Sequence, residues 1–432
     1  MAADFAMLVA DVEADPTMKR SPLAPMFLIV MVDVLGFTIV IPLLPFYAER
    51  FGASPLVATT LVSVYAVCSL ISTPVIGKLS DQYGRKPLLM YSQLGTCAGF
   101  LVLGFSESLW MVFIGRILPG LSAGNLSIAQ AYISDHTAPE NRTKAFGVIG
   151  VAFGIGFMFG PALGGWLGNI ELHLPFIVAA GFSAVAMLFT YTLLPKEERA
   201  PVAKGPEMGP GGRRPSAFDW RIYAEYFGRP ALRAIYVQFF LFSFAFSCFF
   251  SGFALFAEHN EALRWGPDEV GYLFTYAGFL GVILQGGLLG RLVKQWGELK
   301  LSIFSFVAAV IAYALVGFAQ TVLMLVIAST INAFGQGILR PVLTARLTQA
   351  VGRHEQGVVL GISGSLGSVA MAMSPPVGGL LLNSNHLIAW AMVPAVVSLI
   401  GLVCTLMWSG VTERPADVPT SMPRDPELHS AP

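Results

Sequence analysis

MFLIVMVDVLGFTIVIPLLPFYA, residues 26–48, is twenty-three residues long and carries one charge, Asp33. As a helix rising 1.5 Å per residue it is ~35 Å long, enough to cross a ~30 Å hydrocarbon core. The rest of the chain has the same character. Of 432 residues, 55% are hydrophobic and 12% charged, where a soluble domain carries roughly 25% charged residues. Mean hydropathy is +0.68. Inside lipid the backbone must satisfy its own polar groups, which leaves helices or closed barrels. Barrel strands would show roughly ten-residue stretches of alternation. The apolar runs here are continuous and about twice that length, so the fold class is an all-α membrane protein.

Twelve such runs are read, at 26–48, 56–79, 87–106, 109–134, 145–168 and 174–194, then 231–257, 268–293, 300–318, 321–347, 357–382 and 387–410. Cys68, Cys97, Cys248 and Cys404 all fall inside them and read as small hydrophobes. The first 25 residues carry Asp4, Asp11, Glu13 and Asp15, unlike the basic start of a secretory signal, and read as a cytosolic tail. Formal net charge is zero, so no nucleic-acid partner is expected.

Orientation follows from Lys and Arg, which concentrate on the cytosolic side. With both ends inside, 22 of the 26 basic residues are cytosolic. Only Arg50 and Arg264 lie outside, while Arg116 and Arg340 lie within the membrane. Shifted by about 214 residues, the chain also matches itself. PALGG at 161–165 falls on PPVGG at 375–379, and Gly147 and Gly150 fall on Gly361 and Gly364. GKLSDQYGRKP at 77–87 falls near GRLVKQWGELK at 290–300, with an offset of 213. Two parallel repeats imply a central cavity and rocking of one bundle against the other. The expected organisation is a tail (1–25), a six-helix bundle (26–194), a cytosolic linker (195–230), a second six-helix bundle (231–410) and a cytosolic tail (411–432).

GKLSDQYGRKP, between the second and third runs, resembles the cytosolic loop motif of the major facilitator superfamily. Within that superfamily the chain is similar to the bacterial tetracycline/proton antiporter branch of drug exporters. The similar stretches are DVLGFTIVIPLLP from Asp33, GRILPGLSAGN from Gly115 to Asn125, AYISD ending at Asp135, and GIGFMFGPALGG from Gly154 to Gly165. VGYLF, Gln285, LGRLVKQWGE and HEQGVVLG add to it in the second half. The resemblance spans nearly the whole chain except tails and linker. It implies a proton-coupled exporter of a small molecule in a bacterial inner (plasma) membrane. Two departures stand out: the branch's acids of the third and ninth helices are replaced by Gly99 and Ala309. A cargo bound through a divalent cation needs such acids, so the resemblance implies a cargo other than tetracycline.

In the loop, Gly77 is expected to allow close helix approach, Asp81 to cap a helix or pair with a base, Gly84 to make the turn, and Arg85 and Lys86 to hold the inner face. In the fifth run, Gly154, Gly156, Gly160, Pro161, Gly164 and Gly165 form the antiporter Gly-Pro pattern, read as a bend that seals the cavity or as plain small-residue packing. Intramembrane charges are functional by default. Asp33 is the single acid deep within a span and is assigned to proton coupling, or to a polar contact between the first and fourth helices. Arg116 matches the family's fourth-helix arginine, acting on a carboxylate or on cargo, or as a structural hub. Arg340 lines the cavity or snorkels toward the inner surface. Phe37 of the first run, with Phe246 and Phe250 from the phenylalanine row Phe239–Phe256 on the seventh, completes the expected cavity with Arg116, Gln285 and Arg340.

No phosphate-binding loop of the G-x-x-x-x-G-K-[ST] kind occurs, so an ATP-driven pump is excluded. The six histidines all lie at predicted helix ends, in loops or in the tail, several of them with no partner spacing, and no enzymatic activity, cofactor or metal site is read. The expected partners are a small-molecule substrate, protons and the lipid bilayer, with a monomer as the working unit. A passive uniporter or symporter on the same fold, or a membrane receptor, are the competing readings.

Depth arithmetic gives a sharper expectation. Asp33 and Asn125 lie at similar distances from the inner membrane surface, whereas Arg116 lies on the order of 10 Å further out. Asp33 should therefore hydrogen-bond Asn125 rather than form a fixed pair with Arg116. The topology itself predicts that cysteines introduced at Ser54 and Ser216 react with impermeant thiol reagents from opposite sides of the membrane. Labelling of both from one side would refute it.

Overall fold

The computed structural model describes residues 23–137, 142–194, 220–352 and 355–408. All its regular elements are helical. Helix α1 (Leu23–Val40) continues through a 3-10 turn at Ile41–Leu43 into α2 (Leu44–Arg50). There follow α3 (Pro55–Tyr83), α4 (Arg85–Gly104), α5 (Leu109–Leu121), α6 (Asn125–His136), α7 (Arg142–Ile170) and α8 (Leu174–Leu193). After the second gap come α9 (Trp220–Gly228), α10 (Pro230–His259), α11 (Pro267–Ile283), a π turn (Leu284–Leu288), α12 (Leu289–Gly317), α13 (Val322–Gln349), α14 (Gln356–Asn383) and α15 (Leu387–Met407). Among the described residues, eleven helical stretches are long and apolar enough to cross a membrane. The run expected at 268–293 is α11 continued through the π turn. Non-helical Gly297 (φ 74, ψ 162) then divides α12, near the gap expected between 293 and 300.

The fourth run, expected as one helix over 109–134, is broken. Helix α5 ends at Leu121 and α6 restarts at Asn125. Pro119, Gly120, Ser122 and Gly124 weaken the helix here, and Gly124 leaves helical geometry (φ −162, ψ −12). In lipid the freed carbonyls need partners, and neighbouring hydroxyls supply them. Ser72 on α3 donates to the Gly120 carbonyl at 2.6 Å and Thr73 to that of Ala123 at 3.1 Å. Ser92 on α4 donates to the Ser122 carbonyl.

Residues of both halves share one apolar core at a single end of the molecule. It joins Phe46, Tyr47 and Phe176 to Phe253, Phe256 and Trp390. At the other end the cores separate. One gathers Met26, Ile29, Leu89, Ile128 and Tyr132, the other Tyr236, Phe239, Leu339, Leu343 and Ile362. The halves therefore touch at the end carrying the 51–54 and 260–266 turns and diverge toward the end carrying the 77–87 loop.

The stretch expected as linker at 195–230 ends in structure. Helix α9 docks on the second half through Tyr226 and the adjoining Arg229. Arg229 donates to both Glu355 oxygens, at 2.8 and 3.1 Å, and the Tyr226 hydroxyl donates to Glu355 at 3.1 Å. These bonds hold the Glu355 carboxyl below its ordinary pKa, chiefly through Arg229. A lowered folded pKa contributes stability above the unfolded value and loses it as pH falls through the folded one. Glu355→Gln should therefore speed amide exchange in Trp220–Gly228 at neutral pH. The difference from wild type should shrink as the pH drops below about 4.5, the ordinary value for a glutamate. A gap that persists under acid would show that the contact is not electrostatic.

Candidate functional site

The Asp33 side chain lies inside the first half and accepts from Asn125 Nδ2 with both oxygens, at 2.8 and 2.9 Å. Asn125 can reach it because the helix break makes it the first residue of α6. Depth arithmetic placed these two residues together, and the bond is present. Gln93 on α4, which sequence reading did not single out, completes this corner. It is fully buried, neither of its amide atoms has a hydrogen-bond partner, and Asn125 Oδ1 is also unpartnered. Asp33, Gln93 and Asn125 share a cavity of about 20 Å³, room for roughly one water molecule. A lone amide in an apolar run was its only sequence signal.

Arg116 is 1% exposed. Its guanidinium lies over the Tyr65 ring, 4.8 Å from the centroid, and its Nε has no partner. It makes a cation–π contact, not a pair with Asp33. Phe37 leans on the same tyrosine, with centroids 6.1 Å apart. Phe242, Phe246 and Phe250 form a stack along α10, with centroids 6.3 and 5.4 Å apart, and Phe250 meets Phe157 of the other half at 6.4 Å. Gln285 lies exposed in the π turn, and Arg340 is exposed on α13. Phe249, elsewhere in the phenylalanine row, packs instead on Tyr313 and Trp390.

In the loop, Gly84 takes a left-handed conformation (φ 99) closed to other residues. Asp81 pairs with a basic group, one of the two roles expected of it. It sits in the last turn of α3 and pairs with Arg85 at 2.6 Å, while Arg85 Nε reaches Asp135 at 3.0 Å. Lys86 donates to the carbonyls of Tyr191 and Leu194 at the end of α8. Gly77 departs from expectation: no atom lies within 4 Å of where its Cβ would stand, so no close helix approach needs it in this conformation.

The glycines of α7 serve two faces at once. Side chains at Gly156, Gly160 and Gly164 would collide with Val34, Thr38 and Ile39 of α1. Thr38 adds a hydrogen bond to the Gly156 carbonyl at 2.9 Å. On the other face Gly154 meets Val282, Pro161 presents its carbonyl to Gly271, and Gly165 meets Pro267, Asp268 and Gly271, all in the second half. Small residues at these spacings let backbones approach closely.

Two histidines have partners in space. His173 bonds the Tyr47 hydroxyl at 2.9 Å. His259 meets Glu49 of the other half at 3.5 Å, and with Glu258 their ligand atoms lie within 4.8 Å of one another. This grouping bridges the end where the halves touch, and sequence spacing gave no sign of it.

Residues 26–261 and 253–429 match the family model of the Major Facilitator Superfamily. The chain belongs to that superfamily. It is an integral, multi-pass membrane protein and a secondary transporter that moves small molecules by alternating access, not an enzyme. Within the superfamily it is similar to the class H tetracycline resistance protein of Pasteurella multocida, 28% identical over 354 residues, covering 81% of this chain and 86% of that protein. It is also similar to multidrug resistance protein 1 of Bacillus subtilis (strain 168), 27% identical over 379 residues, covering 87% and 92%. Its fold is that of the human organic anion transporter MFSD10 (TETRAN), with a TM-score of 0.67 and 23% identity, covering 89% of this chain and 98% of the other.

The superfamily member's α7 packing is directly testable. A Cβ on Gly164 would stand 2.5 Å from the Ile39 carbonyl oxygen, a backbone atom that cannot rotate away. Alanine gains about 0.5–1 kcal/mol of helix preference over glycine, but overpacking costs about 1–3 kcal/mol. Gly164→Ala should therefore lower the thermal midpoint of the purified protein, whereas Gly181→Ala, with open space around it, should not. Equal midpoints would show that α1 and α7 are not tightly packed.

Proposed function

We propose that the chain is a proton-coupled antiporter that exports a small amphipathic molecule across a bacterial inner membrane. Its working form is a monomer of twelve spanning helices in two six-helix bundles, 26–194 and 231–410, with 195–230 as a cytosolic linker and the tails 1–25 and 411–432 also cytosolic. Gly84 and Gly297, at equivalent places in the two halves, both adopt positive φ, which favours the internal repeat. The separated cores then correspond to a conformation open to the cytosol.

The observation that carries the proton-coupled reading is the state of Asp33. Among the described residues its hydrogen-bond partner is an uncharged amide, Asn125, and no basic group compensates it. A carboxylate inside a span without a counter-ion is costly when ionised. Bound to a neutral donor beside a water-sized cavity, it can take up a proton on one side and give it up on the other. Asp33, Arg116 and Asn125 form the coupling site. Asp81 and Arg85, tied to Asp135, with Gly77, Gly84 and Lys86, form the gating loop, and the two-faced glycine pattern of α7 is the seal between the bundles. Phe37, Arg116, Phe246, Phe250, Gln285 and Arg340 line the cargo path. Relatives named for tetracycline and multidrug resistance support export of drug-like molecules.

The cargo is first identified by a resistance screen in an exporter-deficient strain, with and without an uncoupler. In proteoliposomes, Asp33→Asn should then abolish accumulation driven by a pH gradient while exchange without a gradient persists. A variant that still accumulates cargo with an unchanged proton dependence would end the reading.

A further inference from the structure

Arg340 is placed unlike the other described arginines of the spanning helices. Helix α13 packs on α10 through Leu339 and Leu343, which share a core with Phe239 and Phe242. It packs on α11 through Thr330, bonded to Tyr276 at 2.8 Å, and through Gly337, whose Cβ position lies 3.0 Å from Leu284. At about 100° per residue, Arg340 falls between these two faces. It therefore points into the gap between α10 and α11, toward the space where the halves diverge. Its side chain is exposed, and six residues outward of Arg346, which meets Gln238, it stands well within the span. A surface both accessible and deep is that of an internal vestibule.

The guanidinium has no hydrogen-bond or ion-pair partner among the described residues. Asp33 is bonded to Asn125, Glu298 to Gln349 at 2.7 Å, and Glu355 to Arg229. Arg116 is occupied by Tyr65, and Arg346, one and a half turns inward, bonds Gln238 and Ser302. Arg346 meeting Gln238 also sets the depth. Arg340 is six residues outward on α13 and so is level with about residue 244 of α10. The Phe246–Phe250 stack begins there and runs outward. An unpaired cation thus stands at one end of an apolar aromatic strip. Charge this deep is stabilised only by an opposite charge or strong hydrogen bonds, and guanidinium groups bind carboxylate and phosphate through paired N–H groups.

We propose that Arg340 docks the anionic head of the cargo, an amphipathic organic carboxylate or phosphate whose apolar body lies along Phe246 and Phe250. The inference rests on the transporter reading above and adds the charge of what is carried.

Three matched probes test it on the purified full chain in phosphatidylcholine nanodiscs: 2-naphthoate, 2-naphthamide and 2-naphthylmethylammonium, with Kd measured by calorimetry. Wild type should bind naphthoate at least about tenfold more tightly than the amide or the ammonium, the size of one charge-assisted hydrogen bond. Arg340→Gln should erase that preference while leaving amide affinity unchanged, which also shows that the variant is folded. Equal binding of the three probes by wild type, no binding of naphthoate at millimolar concentration, or an undiminished preference in Arg340→Gln each overturns the proposal. So does displacement of naphthoate by phosphatidylglycerol added to the disc, which would assign the anion to a lipid head group. Asp33→Asn should keep the anion preference. Preference for naphthoate without proton-driven flux would leave the Arg340 site standing and end the proton-coupled reading, and coupled flux without the preference would do the reverse.

Discussion

Gly165 and Gly271 bring helices from opposite halves into contact backbone to backbone. A Cβ on Gly165 would stand 2.7 Å from the Pro267 carbonyl, and one on Gly271 would stand 2.5 Å from that of Pro161. Only hydrogen fits at either place. The rest of the architecture is organised around this approach. With α7 held against α11 on one face, its other glycine face receives α1, and α1 carries Asp33. Toward the opposite end the constraint relaxes: Gly281, Gly287, Gly290, Gly361 and Gly364 have open space where side chains would stand. A tight contact at one end and slack at the other is the mechanical requirement for two rigid bodies that rock.

Several polar groups inside this apolar frame have a clear task. Hydroxyls of Ser72, Thr73 and Ser92 take the carbonyls released where α5 gives way to α6. That repair permits the break, and the break presents Asn125 to Asp33. The same sequence that weakens a helix therefore builds half of a buried site. Arg116 lies over the face of Tyr65 rather than against the carboxylate, which keeps the Asn125 amide as its partner.

Much of this was legible in the chain. Apolar run length dictated helices, since lipid admits nothing else with continuous apolar surface, and Asp33 stood out because a lone acid in such a run needs a reason. The Asp33–Asn125 bond followed from counting residues along two antiparallel helices. Other features were hidden for identifiable reasons. The break in the fourth run depends on hydroxyls from α3 and α4, which no local pattern announces. Gln93 looks like any polar residue until tertiary packing closes around it. Glu49 and His259 are more than two hundred positions apart, and only the meeting of the two halves makes them neighbours. Gly77 was given a packing role by its place in a motif, but its surroundings in this conformation are empty. On sequence grounds alone the side chain of Arg340 could point to cargo or to the membrane surface, and its angular position between α10 and α11 comes only from tertiary packing.

The π turn at Leu284–Leu288 has a meaning beyond local geometry. Helices α3 and α11 begin alike, each with proline as first residue, and each leads to a glycine of positive φ. Twenty-nine residue steps separate Pro55 from Gly84, and thirty separate Pro267 from Gly297. The second half therefore carries one residue more between the same two landmarks. A π turn holds one residue more than an α turn across the same hydrogen-bonded span. The π turn at Leu284–Leu288 takes up one such residue as a bulge within the helix.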